Sequence, residues 1–144
     1  MTNEVIRGVA KVIASLFPDI PVFTEKVDQG IIEPSFVVRC FRNQHGRYRG
    51  QRFRKTHSIE VQYFPPVKNR RENAHSVEEK LFWALEYITV GTDTIRGEKM
   101  DVHMDEDYTV IFTVNYDYFV IQKNDELPME DLSEEVLVND GEEN

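Results

Sequence analysis

Hydrophobic residues near the N-terminus recur at three- and four-residue spacing, which is the period of an amphipathic helix. Thr2 or Asn3 places a polar side chain where a helix N-terminus needs a cap, and Pro18 cannot continue the helix. The pattern therefore predicts a first helix that ends near the proline. Its apolar stripe consists of Val5, Ile6, Val9, Val12, Ile13, Leu16 and Phe17.

A second stretch, roughly Asn73–Ile88, repeats the helical spacing. Its N-terminus has two candidate caps, since Ser76 with Glu79 fits a capping box and Asn73 fits equally well. Trp83 lies within this helix, which we expect to cover a sheet. The residues that carry the helical period are Val77, Leu81, Ala84, Leu85 and Ile88.

Alternation of apolar and polar residues predicts four strands in two antiparallel hairpins. Two glycines mark Gln44–Gly50 as the loop of the first hairpin, and residues 106–107 are a tight connection for the second. In the last strand, Phe112 and Val114 share the face that we expect to be buried, so Ile111 should be more exposed. The predicted strands are Phe36–Arg42, Phe53–Phe64, Lys99–Asp105 and Tyr108–Ile121.

The order of these elements indicates the fold class. Alternating strands need one covered face, and two amphipathic helices can cover it. We therefore predict an α+β domain: a two-layer sandwich in which an antiparallel sheet of about four strands is covered by two helices, in the order α-β-β-α-β-β. The chain has 144 residues, of which 40% are hydrophobic, and this is enough for one core. The domain is expected to span residues 1–123.

Residues 124–144 differ from the rest of the chain in their charge. Nine acidic residues and no Lys or Arg follow Asn124, which leaves seventeen acidic and seventeen basic residues in the preceding part. An acidic segment with few aromatic residues does not fold alone, so we expect a flexible tail. Met129, Leu132 and Val136 have the spacing of a short helical face, so this tail is expected to order when it docks.

The basic residues are concentrated in the first hairpin. Seven of the seventeen lie between Arg39 and Lys55, and no acidic residue lies among them. Such a cluster favours an acidic protein surface, which arginine binds in bidentate fashion. Solubilising charge ranks second and nucleic acid third, because the acidic C-terminal segment supplies nine carboxylates on each copy of the chain and also repels a phosphate backbone. The predicted contact residues for a partner or a second subunit are Arg42, Arg47, Arg49, Arg52 and Arg54.

Candidate catalytic and metal-binding groups are few. Asp101, His103 and Asp105 share one strand face and carry metal-ligand chemistry, but a solvated outer face explains them better. Asp19 and Glu60 could be sought as the acids of a nuclease, yet two acids so far apart occur in almost any sequence. We therefore predict that the protein is not an enzyme, and we assign no catalytic residue, no metal and no cofactor.

Cys40 is the only cysteine. A single cysteine cannot form an internal disulfide and fits a reducing compartment. No His or acid is placed to activate it, so a buried structural role between Val38 and Phe41 is expected. No apolar run approaches the length of a membrane span, and Met1–Leu16 lacks the continuous apolar stretch of a signal peptide, so we expect no membrane contact.

Residues spread over about 1–130 resemble the tail terminator family of Gram-positive bacteriophages and their defective prophage relatives. The resemblance lies in the order and spacing of short segments, none of which is a catalytic signature. These segments are Phe23–Gly30, Glu33–Phe36, Arg52–His57, Val61–Pro65, Glu79–Ile88, Ile95–Gly97 and Val114–Phe119.

This resemblance implies a structural virion protein at the head-proximal end of the tail, assembled in the host cytoplasm. Such terminators form a hexameric ring on the last ring of the tail tube protein and stop further polymerisation. The ring offers its other face to a head connector or neck protein, and genome DNA passes through it without sequence-specific contact. The alternative that the residues leave open is a nucleic-acid-binding accessory protein that uses the arginine-rich hairpin.

Overall fold

The computed structural model describes residues 1–24 and 32–123 and the backbone of a strand at 133–137. Two helices and seven strands make up this part of the chain. The helices are α1, Thr2–Leu16, and α2, Arg70–Ala84. The strands are β1, Val22–Phe23; β2, Ser35–Arg49; β3, Arg52–Phe64; β4, Tyr87–Val90; β5, Asp93–Met104; β6, Val110–Lys123; and β7, Ser133–Leu137.

The sheet is mixed and curls into a half-barrel. Six strands follow the order β1-β2-β3-β6-β5-β4, and β7 pairs with the free end of β6. The β1–β2 pair is parallel and the other pairs are antiparallel. The predicted two-layer sandwich on a four-strand antiparallel sheet is therefore wrong. The protein is mostly β, because additional short strands extend the sheet at its edges and its long strands curl it.

The second helix begins three residues earlier and ends four residues earlier than its sequence pattern predicts. It begins after Asn69, a residue with a left-handed backbone and no side-chain capping bond, so neither predicted cap is used. It ends at Ala84, and Tyr87–Val90 forms β4 instead of a last helical turn. This segment contains aromatic and β-branched residues, which fit a pleated surface better than a helix.

The core lies between the helices and one face of the sheet. Val5, Val9 and Ile13 of α1 are fully buried against it. In β6, every second residue from Val110 to Val120 is buried, which confirms the predicted alternation. Helix α2 buries Ala74, Val77 and Leu81. Trp83 lies outside the core with 80% of its surface exposed, so its predicted place over the sheet is wrong.

The first hairpin is longer than predicted. Strand β2 continues to Arg49, so most of the predicted Gln44–Gly50 loop is strand. The reversal needs only residues 50–51, and Gly50 has a φ of +57°, which a glycine adopts without steric cost. The tight connection predicted between β5 and β6 is confirmed, since the Asp105 carboxylate accepts the N–H groups of Asp107 and Thr109 at 2.8 and 2.9 Å. Neither α1 nor α2 is long and apolar enough to cross a membrane.

A basic β-arm as the candidate interface

The arginine-rich hairpin is part of a larger extension of the sheet, which we call the β-arm. It consists of Arg42–Arg49 of β2, Arg52–Thr56 of β3 and Asp117–Lys123 of β6. Strand β3 lies in the middle, and its pairing with β6 runs without a register shift from Arg52 opposite Ile121 to Tyr63 opposite Val110. The arm is therefore supported on both sides of β3 and continues the core sheet.

One face of the β-arm carries arginines packed on aromatic rings. The rings of Tyr48 and Phe119 lie 4.9 Å apart, centroid to centroid. The Arg52 guanidinium lies 5.0 Å from the Phe119 ring centroid and 5.7 Å from that of Tyr48. Arg49 lies 6.0 Å from the Tyr48 ring. Because a guanidinium over an aromatic face is attracted to it, these contacts hold the charges in place on this surface.

A salt bridge connects this face to β6. The Arg54 guanidinium donates to Asp117 Oδ2, and this contact, together with its Coulomb attraction, raises the pKa of Arg54. The other carboxylate oxygen of Asp117, Oδ1, is buried without a hydrogen-bond partner among the described residues, and so is Nε of Arg52. The face of the arm that carries Arg52 and Asp117 therefore has one buried hydrogen-bond donor and one buried acceptor without a partner among the described residues. Buried polar atoms usually have a hydrogen-bond partner.

The opposite face of the β-arm carries Arg47. Its guanidinium lies 5.0 Å from the Phe53 ring centroid and donates a hydrogen bond to the carbonyl of Gly50. His45 stacks on the same Phe53 ring at 4.9 Å. Arg47 is therefore anchored at the tip, on the side away from Arg52.

The base of the β-arm is fixed by a buried histidine. His57 Nε2 lies 2.7 Å from the Tyr118 hydroxyl, and Nδ1 contacts Asn43 Oδ1. The His57 and Tyr118 rings also stack at 5.1 Å. Burial lowers the pKa of His57 from 6.5 to about 4, and the positive charge of Lys55 acts in the same direction. The imidazole is therefore neutral at pH 7 and ties β2, β3 and β6 together.

The structure brings together part of the predicted contact set. Arg49, Arg52 and Arg54 lie on one face of the arm, whereas Arg47 lies on the other. Arg42 is exposed at the arm's base, and its guanidinium makes no hydrogen bond or ion pair to a described residue. Tyr48, Phe119 and Asp117 were missed as parts of the site. Strand alternation places Phe119 and Asp117 beside Arg54, but this follows only when β3 and β6 are known to be neighbours.

The other candidate groups are placed as follows. Asp101 and His103 are exposed on β5, while Asp105 lies in the β5–β6 turn, where its carboxylate accepts backbone N–H groups. Within the described ranges, no group of three or more His, Cys, Asp or Glu is placed to hold a metal ion. Glu60 pairs with Arg39 at 2.7 Å. Cys40 is half-buried, and its thiol donates to Asn43 Oδ1 at 3.3 Å.

The acidic segment is described only in part. The backbone of Ser133–Leu137 forms β7, with Leu137 opposite Phe119 and Ser133 opposite Lys123. Val136 therefore lies in a strand, and the helical face predicted for it is wrong. Met129 and Leu132, which complete that predicted face, lie outside the described residues, as does the rest of the segment.

Comparison with known proteins assigns a family. A protein-family model described as "Phage tail terminator protein" matches residues 4–128. Curated proteins offer no match to this sequence. One solved structure covers 86% of this chain and 94% of its own length at 10% sequence identity, with a TM-score of 0.47, which is too distant to support an argument about function. Because the family match extends over most of the sequence, the chain belongs to the phage tail terminator family, a family of structural proteins of the phage tail.

Proposed function

We propose that this protein caps the tail tube, ends its polymerisation and forms the tail side of the head–tail joint as a hexameric ring. Family membership supports a structural role in the phage tail and a place in the virion. The observation that carries the finer proposal is the β-arm, in which five arginines lie on an extension of the core sheet with no acidic residue in the hairpin itself.

The β-arm is suited to an acidic protein surface. Individual exposed ion pairs contribute only about 0–1 kcal/mol, so several must act together in a contact that is partly desolvated. Arg49 and Arg52 are already held on aromatic rings, which lowers the entropy they lose on binding.

A ring needs two different patches on each subunit, because a head-to-tail contact closes when its rotation divides a full turn. The arm supplies one basic patch on a chain whose remaining charge is acidic. The tail tube protein and the head connector would then occupy the two faces of the ring, with DNA in the central hole. This family is not known for catalysis, and the role needs none.

The test is charge reversal in the arm. We expect Arg47→Glu, Arg49→Glu and Arg52→Glu together to leave the subunit folded and to abolish capping, so that tails grow beyond normal length and fail to join heads. The matched control reverses Lys11, Lys68 and Arg71, which are exposed outside the β-arm and change the net charge equally. Tail length is measured by electron microscopy, and folding by circular dichroism.

Normal tails that join heads, made with the folded triple variant, would show that the arm only contributes solubility. The nucleic-acid alternative has its own readout in a salt-dependent shift of labelled DNA by the purified protein at physiological ionic strength. The rings of Tyr48 and Phe53 are already faced by arginines, which leaves fewer open aromatic faces for stacking on bases. We therefore expect no shift.

A further inference from the structure

The sheet has two long stretches of unpaired edge. Strand β1 pairs only with residues 36–37 of β2, so the outer edge of β2 from Val38 to Arg49 has no partner among the described residues. Strand β4 pairs with residues 93–96 of β5, and the Gly97 N–H donates to the Glu86 carbonyl at 2.6 Å, which leaves the outer edge of β5 from Glu98 to Met104 without a partner within the described part of the chain. Each edge presents backbone groups that another strand could bind.

The backbone hydrogen bonds show which groups point outward on β5. The Asp105 N–H donates to the Thr109 carbonyl at 3.2 Å, so this pair closes the β5–β6 ladder. Hydrogen-bonded and non-hydrogen-bonded pairs alternate in an antiparallel ladder. The backbone N–H and C=O groups of Met104 and Val102 therefore point away from β6, toward the free side.

The two edges carry opposite charge. Residues 38–49 contain four arginines and no acidic residue. The β5 edge from residue 98 to 104 contains two acidic residues and one lysine, and the β5–β6 turn that follows it adds three more acidic residues. Pairing β2 with β2, or β5 with β5, between two copies brings like charges together. Pairing β2 of one copy with β5 of another brings opposite charges together. Charge therefore selects the head-to-tail combination, which is the kind that closes a ring.

An open cleft lies beside the β5 edge near residues 96–100. It has a volume of about 1100 Å³ and lies between α2 and Arg96–Met100. Phe82, Trp83 and Met100 form its apolar lining, and Trp83 is the most exposed large hydrophobic side chain among the described residues. A strand added at the β5 edge would have side chains beside this cleft, and β2 offers the exposed Phe41 and Tyr48.

We propose that β2 of one subunit pairs with β5 of the next, so that one sheet continues from subunit to subunit around the assembly. This inference rests on the proposed ring and identifies the contact within it. The occupant of the β5 edge is a second copy of this chain, selected by the charge of its arm. Such strand addition combines backbone hydrogen bonds with side-chain selectivity.

The first experiment locates the contact in assembled tails. A photo-crosslinking benzoylphenylalanine replaces the exposed His103, and purified tails are irradiated and digested. We expect covalent dimers whose cross-linked peptide comes from residues 38–49 of a second copy. Cross-links to the tube protein, cross-links to another segment of a second copy, or the absence of dimers would each overturn the proposal.

The second experiment removes a backbone donor. Val102→Pro deletes an outward N–H without breaking the β5–β6 ladder, whereas Val102→Ala trims the side chain and retains the N–H. We expect the alanine variant to cap tails and the proline variant to leave tails as long as those made without the protein. Thermal unfolding of both variants checks that they fold.

The outcomes separate the two proposals. A folded Val102→Pro variant that terminates tails normally would refute strand pairing and leave the capping function intact. Tails of normal length in the complete absence of the protein would refute the capping function itself. If the proline variant does not fold, the cross-link from His103 still decides the contact.

Discussion

His57 gives a quantitative prediction about acid stability. Its pKa of about 4 in the folded protein lies below the ordinary value of 6.5, because the imidazole is buried between Asn43 and Tyr118. The unfolded chain therefore binds more protons than the folded one between these two pH values. The contribution of His57 to the free energy of unfolding is therefore largest above pH 6.5 and falls as the pH drops from 6.5 toward 4. Below pH 4 the histidine is protonated in both states, so its contribution does not change further.

The size of the effect follows from the same two values. Each pH unit of difference corresponds to about 1.4 kcal/mol, so full protonation of His57 in the unfolded state costs the folded protein about 3 kcal/mol. Carboxylates titrate in the lower part of this range and contribute a slope of their own. The contribution of His57 is therefore the difference between the wild-type protein and a variant that does not titrate at this position.

The assay is urea unfolding at half-unit pH intervals from 7.0 to 4.0 on the wild-type protein and on His57→Gln. The variant should be less stable at pH 7, because it loses ring packing and hydrogen bonds, but its stability should fall less steeply with acid. Parallel curves for the two proteins would refute the reasoning, as would an NMR titration that places the His57 pKa near 6.5. A confirmed difference would show that acid weakens the fold at the base of the β-arm.

Two further predictions concern packing. Phe112→Ala should cost about 3–5 kcal/mol in urea unfolding and Ile111→Ala clearly less, because only Phe112 is fully buried; equal losses would contradict the assigned faces. Gly97→Ala should cost about 1–3 kcal/mol, since an added Cβ would lie 2.7 Å from Val114 Cγ2, while Gly46→Ala meets no atom within 4 Å and should change thermal stability little. A harmless Gly97→Ala would mean that β5 can move away from its neighbours at low cost.

Local sequence patterns predicted the parts of the fold that local physics decides. The alternation from Val110 to Val120 reports one buried face, and burial in the structure follows it residue by residue. The pattern failed where tertiary pairing overrides local periodicity. Ile88 fits the helical period of α2, yet it lies in β4, because this segment pairs with β5 and buries Ile88 and Val90 there.

In the β-arm, too, the local features could be predicted from the sequence and the long-range contacts could not. The charge of the hairpin is plain in the sequence, and four of the five predicted arginines lie near its tip. What the sequence could not supply is the neighbour, since β6 joins the arm from more than sixty residues away in the chain. The Arg54–Asp117 pair and the contact of Arg52 with Phe119 depend on that neighbour. The glycines of Gln44–Gly50 indicated a loop, yet β2 continues through most of this segment because it pairs with β3 as far as Arg49 opposite Arg52.

The central position of β6 has a consequence for the synthesis of the protein. Strands β3, β5 and β7 all pair with β6, yet β6 is the last of the long strands to leave the ribosome. A nascent chain that ends before residue 110 contains β3 and β5 but lacks the strand that joins them. The arm and the core sheet are therefore completed together, late in translation, and slowly, as expected for pairing between distant segments. A chain truncated before β6 cannot present a finished arm, so the proposed assembly contact is available only after β6 has been synthesised.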